Sequence, residues 1–277
     1  MSTSVFDPLV GHKGFSCSGP GRRRARLHSL PPPSPPFNMN DMTAARNVRP
    51  MLISVVVPVL NEAATVGALL DHLAGLEGRL EVILADGGST DTTVQVACEH
   101  ASAPRMIQST RGRARQMNAG AAVARGEAIV FLHADTRLPA QAYRLISSAI
   151  ADPRVIGGNF SLRFDGGDRF SQLLGLCYRA QRRAGIYYGD SAVWLRQETF
   201  ERLDGFRALP IMEDYDLVRR LERAGTTVCL AGPAITSARR WQRLGLARTI
   251  ASWVLIRWLY LVGVSPARLA RLYPQVR

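Results

Sequence analysis

Apolar and polar positions along this chain fall into blocks whose period switches between strand and helix. Leu52-Ile-Ser-Val-Val-Val-Pro-Val59 is a nearly unbroken β-branched run, the pattern of a strand buried on both faces. Beyond it Val66, Leu69, Leu70 and Leu73 recur at helical spacing, with Asn61 placed to cap the helix. The alternation continues with a strand over Leu80–Ala85 and a helix over Thr92–Ala101. A short strand over Arg105–Gln108 precedes a helix over Arg113–Arg125 and a strand over Ala128–Leu132. Past Pro139 the pattern loosens. It predicts helices over Ala140–Ala151, Phe170–Ala184 and Glu213–Ala224, the last with Leu217, Val218 and Leu221 inward. Strands are predicted over Val155–Phe164 and Ala192–Arg196. Strand–helix alternation of this kind predicts an α/β fold, a mostly parallel sheet flanked by helices, with ligands at the carboxyl ends of the strands.

The two ends of the chain read differently. Residues 1–50 hold Gly19-Pro-Gly-Arg-Arg-Arg-Ala-Arg26 and Pro31-Pro-Pro-Ser-Pro-Pro36, basic and proline-rich with no core-forming period, and are expected to be a disordered extension. Residues 51–240 are expected to form the α/β domain and 241–277 a helical segment. Within the latter, Thr249–Val264 is strongly apolar but interrupted by Arg257 and short of the ~20 residues of a membrane span. A helix packed on the domain, or lying in a membrane interface, is expected there.

Composition adds one feature. At 277 residues the chain is large enough for a full core, but it carries a net charge of +13, and Lys13 is its single lysine. Arginine forks suit phosphate-bearing ligands or an anionic surface. No zinc finger, helix-turn-helix or RNP-type motif accompanies them, so nucleic acid is not an expected partner. Cys17, Cys98, Cys177 and Cys229 form no CxxC pair, which argues against a zinc cage or a disulfide framework and fits a reducing cytoplasm. Peripheral contact with the inner face of a membrane is left open.

Four segments carry the candidate chemistry: Pro58-Val-Leu-Asn-Glu62 after the first strand, Asp86-Gly-Gly-Ser-Thr-Asp91 after the second, His133-Ala-Asp135 after the fourth, and Ile211-Met-Glu-Asp-Tyr-Asp-Leu217 at a later helix start. Taken singly, Asp86 and Asp135 read as loop residues or caps, and Asp91 as an N-cap. Together they crowd carboxylates at one sheet edge, where repulsion is costly without a cation or a proton.

This order of motifs resembles the family 2 glycosyltransferases of GT-A fold, from about Ile53 to Gly225. The resemblance implies that Pro58, Asn61, Glu62 and Asp86 surround the nucleotide, Asp86 at its base. Arg113 and Asn118 of Arg113-Ala-Arg-Gln-Met-Asn-Ala-Gly120 would lie beside nucleotide and sugar, with Ala134 among the contacts. His133-Ala134-Asp135 matches the Asp-x-Asp element that holds a divalent metal, Mn²⁺ or Mg²⁺, with Asp135 the family's direct ligand. His133 departs from the commoner aspartate, and an imidazole suits Mn²⁺ better than Mg²⁺. Glu213-Asp214 matches the pair that supplies the catalytic base, with Asp214 the base, Glu213 its positioning partner and Asp216 a rival base.

Further matches, His-Ala-Asp-Thr-x-Leu-Pro, Gly157-Gly-x-Phe160, Tyr188-Gly-Asp190 and Glu213-Asp-x-Asp-Leu217, are similar to the subgroup associated with arsenosugar biosynthesis. There Tyr187, Tyr188 and Asp190 would line the acceptor side, and Arg240 of Arg239-Arg-Trp241 would cover the nucleotide. The implied activity is inverting transfer from a nucleoside-diphosphate sugar to a small polar or lipid-linked acceptor. The alternatives are a sugar nucleotidyltransferase, disfavoured because Val59-Leu-Asn-Glu-Ala-Ala64 lacks a glycine-rich basic loop, and a non-catalytic nucleotide-sugar-binding protein.

Overall fold

A computed structural model describes residues 51–166, 169–237 and 245–272. The basic extension over residues 1–50 and Arg239-Arg-Trp241 lie outside the described residues.

Eight strands form one sheet: β1 (Ile53–Val59), β2 (Leu80–Asp86), β3 (Arg105–Gln108), β4 (Ala128–Phe131), β5 (Thr136–Arg137), β6 (Val155–Phe164), β7 (Trp194–Arg196) and β8 (Thr226–Thr236). Their spatial order is β3-β2-β1-β4-β7-β6-β8-β5. The β3-β2-β1-β4 half is parallel throughout. Strand β7 enters antiparallel between β4 and β6. Beyond it, β6 and β8 run parallel and the short β5 pairs antiparallel to β8. The sheet is mostly parallel, as expected, with the reversal at β7 and a second antiparallel pairing at β5. Neither β8 nor β5 is apparent from the sequence pattern. Thr226–Thr236 contains Gly232 and Pro233, residues depleted in strands, and its register against β6 slips at Phe160/Ser161.

Strands β1 and β4 in the middle of the sheet are buried on both faces, which explains their unbroken hydrophobicity. Ile53, Val55, Val57 and Val59 of β1 and Val130 of β4 pack with Val66, Leu69, Leu70 and Leu73 of α1 (Ala63–Ala74) and with Ala142 and Ile146 of α4 (Ala142–Ile150). Val56, Ile83, Ile129 and Phe131 point the other way, onto Met117 and Ala121 of α3 (Arg113–Ala122) and Leu217 and Leu221 of α7 (Glu213–Ala224). The period of two in strands and 3.6 in helices produces this division. The remaining helices are α2 (Thr93–Cys98), α5 (Arg169–Arg183), α6 (Gln197–Arg202), α8 (Leu246–Leu261) and α9 (Pro266–Leu272).

The parallel register sets Val59 beside Asp86 and Val56 beside Phe131, so β1, β2 and β4 deliver their loops to one edge of the sheet. Buried Gln116 of α3 fastens that edge: its Nε2 donates to the carbonyls of Val59 and Ala85, each at 2.8 Å.

Candidate active site

The loops of β1 and β2 are built around each other. Asn61 sits in the left-handed region (φ 55°), where asparagine is tolerated. It does not cap α1: its Oδ1 accepts the Thr90 N–H at 2.8 Å. The open amides at the start of α1 are met from the β2 loop, with Glu62 N–H donating to Thr93 Oγ1 at 2.7 Å and Ala63 N–H to Asp91 Oδ2 at 3.2 Å. Asp91 also accepts the Thr93 N–H at 2.9 Å, so one carboxylate serves the beginnings of two helices. Asp86 is buried, and its oxygens accept hydrogen bonds from the amides of Gly88 and Ser89 and from the Ser89 hydroxyl at 2.5 Å. That side chain shapes its own loop.

A cavity of about 650 Å³ opens at this edge, lined by Asn61, Glu62, Arg113, His133, Asp135, Tyr188, Asp190 and Asp214. The segment after β4 thus meets the start of α7 across one space. Pro58, Asp86, Asn118, Ala134 and Glu213 lie outside its lining. Ala134 is buried in the core beside β4, and Pro58 lies within β1 opposite Ala85. The Asn118 amide is engaged with backbone, its Nδ2 donating to the Phe206 carbonyl at 2.7 Å and its Oδ1 accepting the Phe206 N–H at 2.8 Å. It docks the segment that leads into α7.

Asp214 occupies the first turn of α7, where the helix dipole favours negative charge. Its Oδ2 accepts the Gly189 N–H at 2.9 Å. A methyl group on Gly189 would stand 2.9 Å from His133 Nε2 and 3.3 Å from Asp214 Oδ2. His133 and Asp214 therefore close on the same point at the Gly189–Ser191 turn. Glu213 is buried and ion-paired with Arg113, whose Nε donates at 2.7 Å. Burial pushes the Glu213 carboxyl up and Arg113 opposes the rise. The pair ties the start of α3 to the start of α7. Asp216 faces elsewhere, held by Arg207 at 3.0 Å and Arg220 at 2.8 Å.

The two adjacent tyrosines divide between core and site. Tyr187 is buried under the Arg182 guanidinium, 4.5 Å from its ring centre. Tyr188 lines the cavity and stacks on Tyr215 at 5.8 Å. Asp190 also faces the cavity. Its Oδ2 accepts from Tyr178 Oη at 3.3 Å, while Oδ1 is buried with no hydrogen-bond partner. Burial first, and then the charge of Asp214, push its carboxyl up to about 7.

Several lining residues carry no motif. Tyr178 and Gln181 come from α5, and Ile250, Trp253, Val254, Ile256 and Arg257 come from α8. Their only advance signal is the helical period of two apolar segments distant in sequence.

Among the described residues no three His, Cys, Asp or Glu side chains are grouped as a metal cage. His133 and Asp135 nonetheless suit a divalent ion that takes its remaining ligands from phosphate oxygens and water, the usual arrangement for metals bound with nucleotides. The imidazole favours Mn²⁺ within that class.

Residues 54–209 match the profile of Glycosyl transferase family 2. A dodecaprenyl-phosphate galacturonate synthase from Rhizobium johnstonii is 35% identical over 187 residues, which cover 64% of this chain and 49% of that protein. An undecaprenyl-phosphate 4-deoxy-4-formamido-L-arabinose transferase from Aeromonas hydrophila is 28% identical over 156 residues, 52% of this chain and 48% of that protein. The chain thus spans about half the length of these curated relatives. Among solved structures, a mannosyltransferase from Pyrobaculum calidifontis in complex with GDP-Man and Mn²⁺ shares the fold. Its TM-score is 0.57 at 22% identity, covering 83% of this chain and 66% of that one.

Proposed function

The chain belongs to glycosyl transferase family 2, and from that premise we propose that it moves a sugar from a nucleoside-diphosphate sugar to an acceptor hydroxyl or phosphate, with inversion at the anomeric carbon. The observation that carries this reading is that Asp135 and Asp214 line one cavity of about 650 Å³, inside the size range of small-molecule sites.

In the proposed reaction the acceptor oxygen attacks C1 of the sugar from the Asp214 side. The C1–O bond to the diphosphate breaks, and the nucleoside diphosphate departs with that electron pair. Where the acceptor is a hydroxyl, Asp214 Oδ takes its proton as the new bond forms; an ionised phosphate oxygen attacks with no proton to give up. The Gly189 amide and the α7 dipole hold Asp214 in place for this. Arg113 stands at the cavity wall to meet phosphate charge, and Glu213 orients it. When bound between His133 and Asp135, a divalent metal would neutralise charge on the departing diphosphate. Asn61 and Glu62 would edge the nucleotide pocket, with Asp86 shaping the loop beside them. One base acting on one face accounts for inversion without a covalent intermediate. A nucleotidyltransferase would need a basic phosphate loop after β1, and the residues there are Leu60, Asn61 and Glu62.

For the acceptor, part of the cavity lining is apolar, with Phe164, Phe170, Leu174, Trp253 and Ile256. This favours a lipid-linked acceptor, the class named for the Rhizobium and Aeromonas relatives. The Tyr188-Gly-Asp190 motif and its neighbours favour a second reading, a small polar acceptor in arsenosugar biosynthesis.

Release of nucleoside diphosphate from a panel of sugar donors tests the reaction. Asp214→Asn should lower turnover by about 10²- to 10⁴-fold while donor binding persists. Equal turnover in that variant would remove Asp214 as the base.

A further inference from the structure

We propose that the outer face of α8 docks on an anionic lipid bilayer and presents the mouth of the cavity to it. Helix α8 is apolar on two sides. Thr249, Ile256 and Tyr260 turn toward the protein, where Ile256 and Tyr260 pack with Met212 and Tyr215. Ile250, Val254, Trp258 and Leu261 recur at intervals of four, four and three on another face, with Leu255 and Val262 beside them, and all six are exposed. Val254 is 63%, Trp258 59% and Leu261 60% accessible, far more than an apolar helix retains when it is packed on all sides.

At about 100° per residue, the six occupy a sector of about 140°. Arg248 and Arg257 fall at its two borders. Arg248 is exposed, where a long basic side chain can lay its stem on apolar surface and hold its charge at a headgroup. Arg257 lines the cavity and donates to Gln181 Oε1 at 3.0 Å. The local charge is one-sided. Glu222 is the last acidic residue in the chain, and residues 223–277 contain nine arginines. Among them Arg248, Arg268 and Arg271 are exposed on α8 and α9, and Leu272 adds apolar surface to α9. Exposed apolar side chains on a segment that carries arginines and no carboxylate of its own match a negatively charged lipid surface better than a mixed-charge protein face, the acidic groups nearby lying in the cavity lining. A 16-residue helix is about 24 Å long, and no helix among the described residues is long and apolar enough to cross a membrane, so it lies in the interface.

The same face borders the site. Ile250 and Val254 are both exposed and part of the cavity lining, so the apolar surface runs over the rim into the cavity. An acceptor with its polar end at Asp214 and its tail in the bilayer would cross at these two residues. This last step rests on the transferase reading, whereas the docking itself does not.

Flotation of the full chain with phosphatidylcholine vesicles, with and without phosphatidylglycerol, tests the docking in the absence of any sugar donor. Binding is expected to the phosphatidylglycerol vesicles, weakening as salt is raised. The variant Leu255→Ser/Trp258→Ser/Leu261→Ser, which leaves the cavity lining intact, should lower the partition coefficient at least tenfold with unchanged melting temperature. In Leu255→Ser/Leu261→Ser, which keeps the tryptophan, quenching of Trp258 by brominated lipid should fall. Wild-type binding by the triple variant, or no vesicle binding by the full chain, overturns the proposal. So does light scattering that finds a dimer which the triple variant converts to monomer, since the face would then join two copies.

Discussion

Asp190 offers the sharpest test of a single side chain. Its carboxyl is raised to about 7 by burial, helped by the charge of Asp214, against an ordinary value near 4. A folded-state value above the unfolded one means that ionisation opposes folding. The cost is absent below about pH 4, grows as pH rises toward 7 and is complete above it. Asp190→Asn removes the ionisation. With chelator present, the melting temperature of the variant should therefore gain on wild type between pH 4 and 7, then hold its lead. A constant difference across that range would assign the effect to lost hydrogen bonding. Gly189 makes a second test. A methyl group there would press on His133 Nε2 and Asp214 Oδ2, so Gly189→Ala should lower kcat by about 10- to 100-fold with little change in melting temperature. At this scale the sequence motifs named Asn61, Glu62, Arg113, His133, Asp135, Tyr188, Asp190 and Asp214, all in the cavity lining, because the order of these motifs is distinctive and carboxylates crowded at one sheet edge are costly. What they left out is the packing of two others: Asn118 also pairs with the backbone of Phe206, distant in sequence, and Asp86 with its own loop at Gly88 and Ser89.

The element that positions the candidate base is the start of α7, fixed by three connections, two from α3 and one from α7 back to the segment before it. Arg113 pairs with Glu213, Asn118 holds both backbone groups of Phe206, and Arg220 donates to the carbonyls of Leu203 and Gly205 while pairing with Asp216. Asn118→Ala would strand the Phe206 amide and carbonyl, at a cost of about 1–3 kcal/mol. Melting by circular dichroism should show a drop of about 2–6 °C. Nucleoside diphosphate release should decline as well, because α7 loses its approach to the cavity. The period of Leu217, Val218 and Leu221 announces this helix, but none of these three connections has a sequence signature.

For the whole molecule, the cavity is assembled from the parallel half of the sheet on one side and from α5, the Gly189–Ser191 turn and α8 on the other. A donor that uses His133 and Asp135 through a metal should raise the melting temperature of the full chain with Mn²⁺ and less with Mg²⁺. Chelator should abolish the gain, and Asp135→Asn should reduce it. Equal stabilisation with Mn²⁺, Mg²⁺ or chelator would take the metal out of donor binding.

The order β1-α1-β2-α2-β3-α3-β4, its two-faced burial and the placing of candidate groups at the ends of β1, β2 and β4 are written in local periodicity, since a buried parallel strand must be apolar along its length and its loops must emerge at its ends. The reversal at β7, the bulged β8, the split between Tyr187 and Tyr188 and the entry of α8 into the cavity wall were decided by tertiary packing. These depend on which surfaces meet across long stretches of chain, and short-range spacing carries no record of such meetings.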